Sequence, residues 1–394
     1  MSESAMTASG GGTGAPDGSD GPGVLRRIAE SNALMGVLAV FSAAVVGSVL
    51  ILVADSEVRT TAGYLLARPS DFLHAVASAL TGAYSALVRG GVFDWQATTT
   101  ARMWRPATET LTVSAPLILA GLGMAVAFRA GLFNVGGQGQ IILGAMAGAA
   151  AGGALWGGIV GVLKATTGAS EVITTIMLNS VAAYLLAHAL TTRAFIGDGT
   201  NPKSLPVGAS AQYPLLLGGP FRLHLGFVVA LVAALCVWWL MERSEFGFQF
   251  RATGSNPQAA RTAGISVPRV TALVMTVSGA LCGLAATGPV LGTQHNLTIS
   301  IAGSIGFDAM TVALLGRSRP LGTVLAGLLF GALSAGGTTM QATTGTNIDI
   351  VLVLQSTIVL FIAAPPLVRA VYGLPAPGSW KRRARRPDAT DQEA

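Results

Sequence analysis

Catalysis needs a nucleophile beside a base, a cluster of metal ligands or a cradle for phosphate, and this sequence offers none of them at a defensible spacing. Its four histidines, His74, His188, His224 and His295, form no His-x-x-x-His or Glu-x-x-His pair. Cys236 and Cys282 each stand alone in an apolar stretch, without zinc-site or disulfide spacing, and read as small core residues. No Gly-Lys dipeptide occurs, so the Walker A cradle is missing and any use of ATP falls to another polypeptide. What remains is neutral amides and glycines set in apolar sequence. Such groups can contact and guide an uncharged solute; they do not transform it.

Gly131-Leu132-Phe133-Asn134-Val135-Gly136-Gly137-Gln138-Gly139-Gln140 puts three amides and four glycines between two apolar runs. A bare amide in hydrocarbon costs several kcal/mol, so this stretch predicts a bend or half-helix lining a path, with a surface loop as the plainer alternative. Glu171-Val172-Ile173-Thr174-Thr175-Ile176-Met177-Leu178-Asn179 opens a helix with a carboxylate in its first turn, and Asn179 suits either a helix–helix hydrogen bond or a solute contact. The amides Gln294 and Asn296 follow the break at Pro289 and join Phe133, Asn134, Gln138, Gln140 and Asn179 as candidate path residues. Near the other end of the chemistry scale, Asp308 and Asp349 could couple protons in a secondary transporter; their places near helix starts favour capping.

The elements that hold these residues are membrane helices. Of 394 residues 51% are hydrophobic and 11% charged, with 51 glycines, and the mean hydropathy is +0.61. A soluble domain carries about twice that charged fraction. The formal charge of +6 therefore signals topology rather than nucleic acid, since the arginines gather at the ends of apolar segments. Residues 1–31 read as a disordered cytoplasmic tail. Arg26 and Arg27 precede the first span, Ala33 to Ala54, and place the N-terminus inside. Residues 55–109 read as an external segment with an interfacial helix over Phe72 to Val88. Further spans are expected at 111–128, 172–190, 223–241, 270–291, 301–315, 321–337 and 348–368, with breaks around Pro116, Pro289 and Gly303 that point to a translocation path. Residues 141–164 suffice for one crossing of about 36 Å or for a re-entrant pair turning near Gly152-Gly153, and the sequence leaves both open. The expected fold is an all-α polytopic bundle of about 9–10 membrane segments, some broken or re-entrant. Its permease domain spans 32–370, and a basic cytoplasmic tail follows over 371–394.

The loop 242–269 carries Arg243, Arg251, Arg261 and Arg269 and reads as cytoplasmic. Within it Asn256 caps, Pro257 starts and Gly264 ends a short helix of small residues, Gln258-Ala259-Ala260-Arg261-Thr262-Ala263. Together with Gly131–Gly136, Glu171–Asn179, Phe246–Ile265, Gly306-Phe307-Asp308, Ala313–Arg317 and Pro320-Leu321-Gly322, this segment makes the chain resemble permease subunits of ATP-binding cassette importers, in the branch for nucleosides and simple sugars. The resemblance covers roughly residues 110–366.

It implies a non-enzymatic subunit that works with a second, similar permease, a cytoplasmic ATPase that binds ATP and Mg, and an extracytoplasmic substrate-binding lipoprotein, in the bacterial inner membrane. Asn256, Pro257, Gln258, Ala259, Ala260, Arg261 and Gly264 would then form the coupling helix that docks on the ATPase. Gln258 stands where the family often has Glu, and Gln138 where it often has Glu in Gly-x-Glu-Gly-Gln. The cargo implied is a nucleoside, with ribose or another simple sugar as the alternative and a proton-coupled transporter as the rival of another class.

Overall fold

The computed structural model describes residues 32–197, 201–364, 367 and 370–372. The expected tails, 1–31 and nearly all of 371–394, lie outside these residues. The chain is helical, in the order α1 (Asn32–Ala54), α2 (Ser56–Ala62), α3 (Pro69–Gly91), α4 (Thr100–Arg129), α5 (Gly137–Met146), α6 (Ala150–Thr167), α7 (Glu171–Ala189) and α8 (Arg193–Ile196), then α9 (Gly226–Arg243), α10 (Glu245–Ser255), α11 (Pro257–Thr262), α12 (Val267–Ala285), α13 (Ile305–Leu315), α14 (Pro320–Thr344) and α15 (Asp349–Ala363). Six of the helices, α1, α4, α7, α9, α12 with its π-helical extension Gly288–Thr293, and α14, are long and apolar enough to cross a membrane; α13 and α15 are apolar but shorter. This is the all-α polytopic bundle that the composition demands.

α4 is the axis of the bundle. Its apolar stretch is the most deeply buried of the spans, at 83%, because α3, α9, α12, α13 and α14 pack around it. Cys282 and Ser278 of α12 reach Ala120 and Gly123 of α4, so these two helices run antiparallel. Two similar successions follow. Each has a long helix, then a half-length helix of 10 residues (α5) or 11 residues (α13), then another long helix. The succession that starts with α4 supplies α5 and α6 to pack on α12; the one that starts with α12 supplies α13 and α14 to pack on α4. The two half-helices start side by side, where Gln138 meets Gly306, and run to opposite ends. Inverted pairs of broken helices of this kind are the architecture of membrane transporters.

The segment 141–164 forms an antiparallel hairpin rather than a single helix. Gly139 faces Trp156 and Leu143 faces Gly152. The turn falls a few residues before the expected Gly152-Gly153, at Gly148 (φ 89°) and Ala149 (φ 53°), and Gly153 is instead needed in the wall. There α6 lies on α12 with backbone against backbone: a Cβ on Gly153 would sit 2.2 Å from the Gly279 carbonyl, and one on Gly283 2.4 Å from the Ala149 carbonyl. Small residues at a four-residue spacing let membrane helices approach this closely.

α1 and α15 close the bundle as an antiparallel pair, with Gly47 on Leu354 and Ala43 beside Ile358. Taking the end that carries α11 as the lower, Ser42 and Tyr372 meet toward that end at 2.9 Å. Three further expectations need correction. Of 301–315 only Ile305–Leu315 is helical, about 16 Å long, because Ile301–Ser304 is a run of turns with Gly303 at φ 47°. Cys236 is exposed on the outer face of α9, not in the core; hydropathy does not separate a core-facing from a lipid-facing position. The helix expected over Phe72 to Val88 is α3, which does not lie apart from the bundle but buries Ala83, Ala86, Gly90 and Gly91 against α1 and α14.

Candidate functional site

The amide-rich break sits where α4 ends. Ala130 and Leu132 return hydrogen bonds to the last turn of α4, and the chain then re-enters the bundle to start α5 at Gly137. Asn134 is fully buried and Gln140 is 1% exposed. Their amides exchange two hydrogen bonds, at 2.9 and 3.1 Å, and Asn134 also accepts the Gly136 N–H and donates to Ser278 Oγ. Ser278 in turn donates to the Gly123 carbonyl at 2.7 Å. Every polar group of Asn134 is thus engaged by the chain itself. Asn179 holds the same segment from α7, accepting the Gly139 N–H at 2.8 Å and donating to the Val135 carbonyl at 2.9 Å.

Gln138 joins the two half-helices. Its amide donates to the Gly303 carbonyl at 2.7 Å and accepts the Gly306 N–H at 3.3 Å. The other candidates lie elsewhere. Phe133 is half exposed at the lower side, against Phe128. Gln294 and Asn296 belong to an upper loop that pairs with residues 204–207 through Leu297 and His295. The structure therefore brings Asn134, Gln138, Gln140 and Asn179 together, adds Ser278, and leaves Phe133, Gln294 and Asn296 apart.

The break expected around Pro116 is absent, since α4 continues through it, its missing N–H being tolerated within the helix; Pro116 nevertheless faces the two real breaks, at Pro289 and beside Gly303, across one cavity at the upper end. It measures about 410 Å³ and is walled by Pro116 of α4, Pro289 after α12 and Ser304-Ile305 next to Gly303, within the usual range for small-molecule sites. Leu117 and Phe330 form an apolar part of the wall, while Glu109, Arg222, His224, Asp308 and Asp349 supply polar groups. Asp308 and Asp349 both lie in the first turns of helices, where the helix dipole favours a carboxylate, but neither accepts a helix N–H, so hydrogen-bonded capping is not what holds them there. Glu109 and Arg222, 3.6 Å apart, were not marked by any motif, since they lie 113 residues apart, one at the end of the segment read as external and the other just before the span expected at 223–241. Among the described residues no cluster of His, Cys, Asp or Glu could hold a metal ion.

At the opposite end the chain builds a protruding stub. Asn256 Oδ1 accepts the N–H groups of Gln258 and Ala259 at 3.0 and 3.1 Å, Pro257 starts α11, and Gly264 ends the turn at φ 82°. Ala260 is buried while Gln258, Ala259 and Arg261 are exposed. α10 connects the stub to the bundle: Gly254 lies so close to Arg129 and Ala130 that a Cβ there would meet the Arg129 carbonyl at 2.3 Å, and Gly131 packs on Gly254 from the other side. An Arg129–Glu242 ion pair closes the same corner. Nearby, Lys164 pairs with Glu171, which also accepts the Phe133 N–H at 3.5 Å, so the hairpin returns to the lower end.

A family model described as branched-chain amino acid transport system / permease component matches residues 107–364. The chain is 37% identical over 293 residues to the guanosine ABC transporter permease protein NupP of Bacillus subtilis, covering 67% of this chain and 83% of NupP. It is 33% identical to the glucose ABC transporter permease protein TsgB13 of Haloferax volcanii, over 65% of this chain and 75% of that protein. The nucleoside ABC transporter permease protein NupB of Lactococcus lactis is also 33% identical, over 67% of this chain and 80% of its own. No solved structure matches the chain.

Proposed function

Because this chain belongs to the branched-chain amino acid transport system / permease component family, whose model covers residues 107–364, we propose that it is the membrane-spanning subunit of an ATP-binding cassette importer for nucleosides. ATP and Mg are handled by a separate cytoplasmic ATPase, and the cargo is delivered by an extracytoplasmic binding lipoprotein. A second permease subunit completes the channel, as the sequence resemblance implies, in a bacterial inner membrane with the lower end inside. The observation that carries this reading is the pairing of two features at opposite ends of one inverted bundle: the cavity where Pro116, Pro289 and Ser304 meet, and the capped stub at 257–264.

The mechanism is alternating access, with two arrangements of packed helices biased by the ATPase. Motion of α11 passes to α10 and, through the Gly254 contact, to the end of α4 and the segment that leads into α5. Gln138 then carries it to the start of α13, and with it to one wall of the cavity. Asn134, Gln140 and Asn179 keep the break folded during this motion; Gln138, Phe133 and Gln294 keep exposed or partly exposed surface, as Asn179 does in part, and Asn296 is buried in the upper loop.

The relatives NupP and NupB support a nucleoside as cargo, and TsgB13 supports a sugar as the second reading. Reconstitution of the whole transporter in proteoliposomes tests the proposal. Guanosine uptake should require ATP and persist when the proton gradient is collapsed. Uptake that follows the proton gradient and ignores ATP would replace this reading with a secondary transporter, and uptake of ribose or glucose alone would replace the cargo.

A further inference from the structure

The upper cavity leaves specific hydrogen-bonding demands unmet. His224 is 1% exposed. Its Nδ1 accepts the Gly226 N–H at 3.1 Å, which puts the ring proton of the neutral imidazole on Nε2, and no described group accepts that proton. Glu109 Oε1 is buried without a hydrogen-bond donor, since Arg222 approaches Oε2 at 3.6 Å and Arg105 stays 4.0 Å from Oε1. Asp308 differs from these two: it is half-buried, accepts the hydroxyl of the exposed Ser304 on one oxygen at 2.6 Å, and has its other oxygen accessible with no described donor. All three residues line the same cavity. Glu109 Oε1 and His224 Nε2 are buried polar atoms without partners, which are rare in folded chains and call for an explanation such as a bound group.

The ligand that satisfies these groups must both donate, to two carboxylates, and accept, from an imidazole N–H. A cation donates but cannot accept, and an anion accepts but cannot donate to Glu109. Hydroxyl groups do both. Beside the polar groups, Pro116, Leu117 and Phe330 offer apolar surface for the face of a ring. Resting on the importer reading above, we propose that this cavity is a transit subsite for a ring carrying vicinal hydroxyls. The hydroxyls donate to Glu109 and Asp308, and His224 Nε2–H donates to a hydroxyl or ring oxygen. This assigns to the permease itself a share of substrate selection, separate from that of the binding lipoprotein.

The test compares Glu109→Gln, Asp308→Asn and wild type in the complete reconstituted transporter, with guanosine, 2′,3′-dideoxyguanosine and free ribose as labelled substrates. Each variant faces the same binding lipoprotein as the wild type, so a change in the ratio between substrates belongs to the permease. Guanosine uptake should fall about tenfold, as for the loss of one charge-assisted hydrogen bond, while uptake of the dideoxy compound stays within about twofold of wild type. If ribose is carried and falls instead, the diol comes from a free sugar and the subsite stands. Equal loss for diol and dideoxy substrates, with normal assembly and ATPase activity, would make the two carboxylates structural and overturn the subsite. Unchanged uptake in both variants would do the same while leaving the importer intact. A wild-type transporter with no ATP-dependent uptake of any of the three would remove the importer reading and the subsite together.

Discussion

Asn134 Nδ2 lies 2.8 Å from Ser278 Oγ, a hydrogen bond between positions 144 residues apart. It joins the interruption after α4 to the middle of α12, and Ser278 extends the join to the backbone of α4 at Gly123. An amide-rich interruption between two apolar runs is thereby made compatible with the burial of Asn134 and Gln140, because each of these amides finds its partner inside the protein.

Replacing Asn134 by Ala leaves the buried Gln140 amide and the Ser278 hydroxyl short of partners. Each orphaned group costs about 1–3 kcal/mol, so the thermal midpoint of the purified protein in detergent should fall clearly. Ser278→Ala should cost a similar amount, and the double variant less than the sum, since both remove one network. A midpoint equal to wild type in Asn134→Ala would show that the network does not hold the break.

Gly254→Val tests the connection between stub and bundle. The added side chain has to displace the backbone at Arg129, a cost of about 1–3 kcal/mol for overpacking. With the ATPase bound, ATP hydrolysis should continue while uptake per ATP drops. Loss of both in equal measure would place the contact in assembly rather than in transmission.

The hairpin fixes which side the α6–α7 turn faces. In a background without Cys236 and Cys282, an impermeant thiol reagent should reach Thr166→Cys from the same side as Arg261→Cys. It should reach Ser210→Cys from the opposite side. All three positions are exposed in the chain. Labelling of Thr166→Cys from the Ser210 side would rule out the hairpin and restore a single crossing over 141–164.

Acid should loosen the turn between α3 and α4. The Arg89 guanidinium, 2.8 Å from Asp94, holds that carboxyl below its usual value near 3.8, its hydrogen bond outweighing the partial burial that opposes it. Between the lowered value and 3.8 the unfolded chain holds a proton that the folded chain lacks, so this contribution is present above that window and is lost as the pH falls through it. Melting curves should show an acid-dependent step in wild type that is reduced in Asp94→Asn. Identical acid dependence in the two would mean that the pair adds nothing.

The class of fold was legible because few soluble chains combine 11% charge with 51% hydrophobic residues, and the breaks at Pro289 and Gly303 were legible because proline and glycine interrupt helices by their own geometry; the break expected at Pro116 is absent, since α4 runs on through it. What the breaks enclose was not. Glu109, Arg222 and Asp308 reach one cavity only after three separate segments fold together. The roles of the amides were also hidden: Asn134 and Gln140 look as free as Gln138 in sequence, and only Ser278 and each other as partners reveal that they serve the fold. The α5–α6 hairpin depended on the positive φ angles of Gly148 and Ala149; for Ala149 no residue type announces such a conformation.

Along the contact of α6 with α12, Gly153, Gly279 and Gly283 lie where even a methyl group would strike a neighbouring carbonyl. A random-mutagenesis library selected for growth on the cargo should therefore show a narrow band of near-zero tolerance there, beside the permissive outer face around Trp238 and Trp239. The same closeness locks the register of the two rods, since any sliding would drive one backbone into the carbonyls of the other, so the hairpin must travel with α12 as a single body.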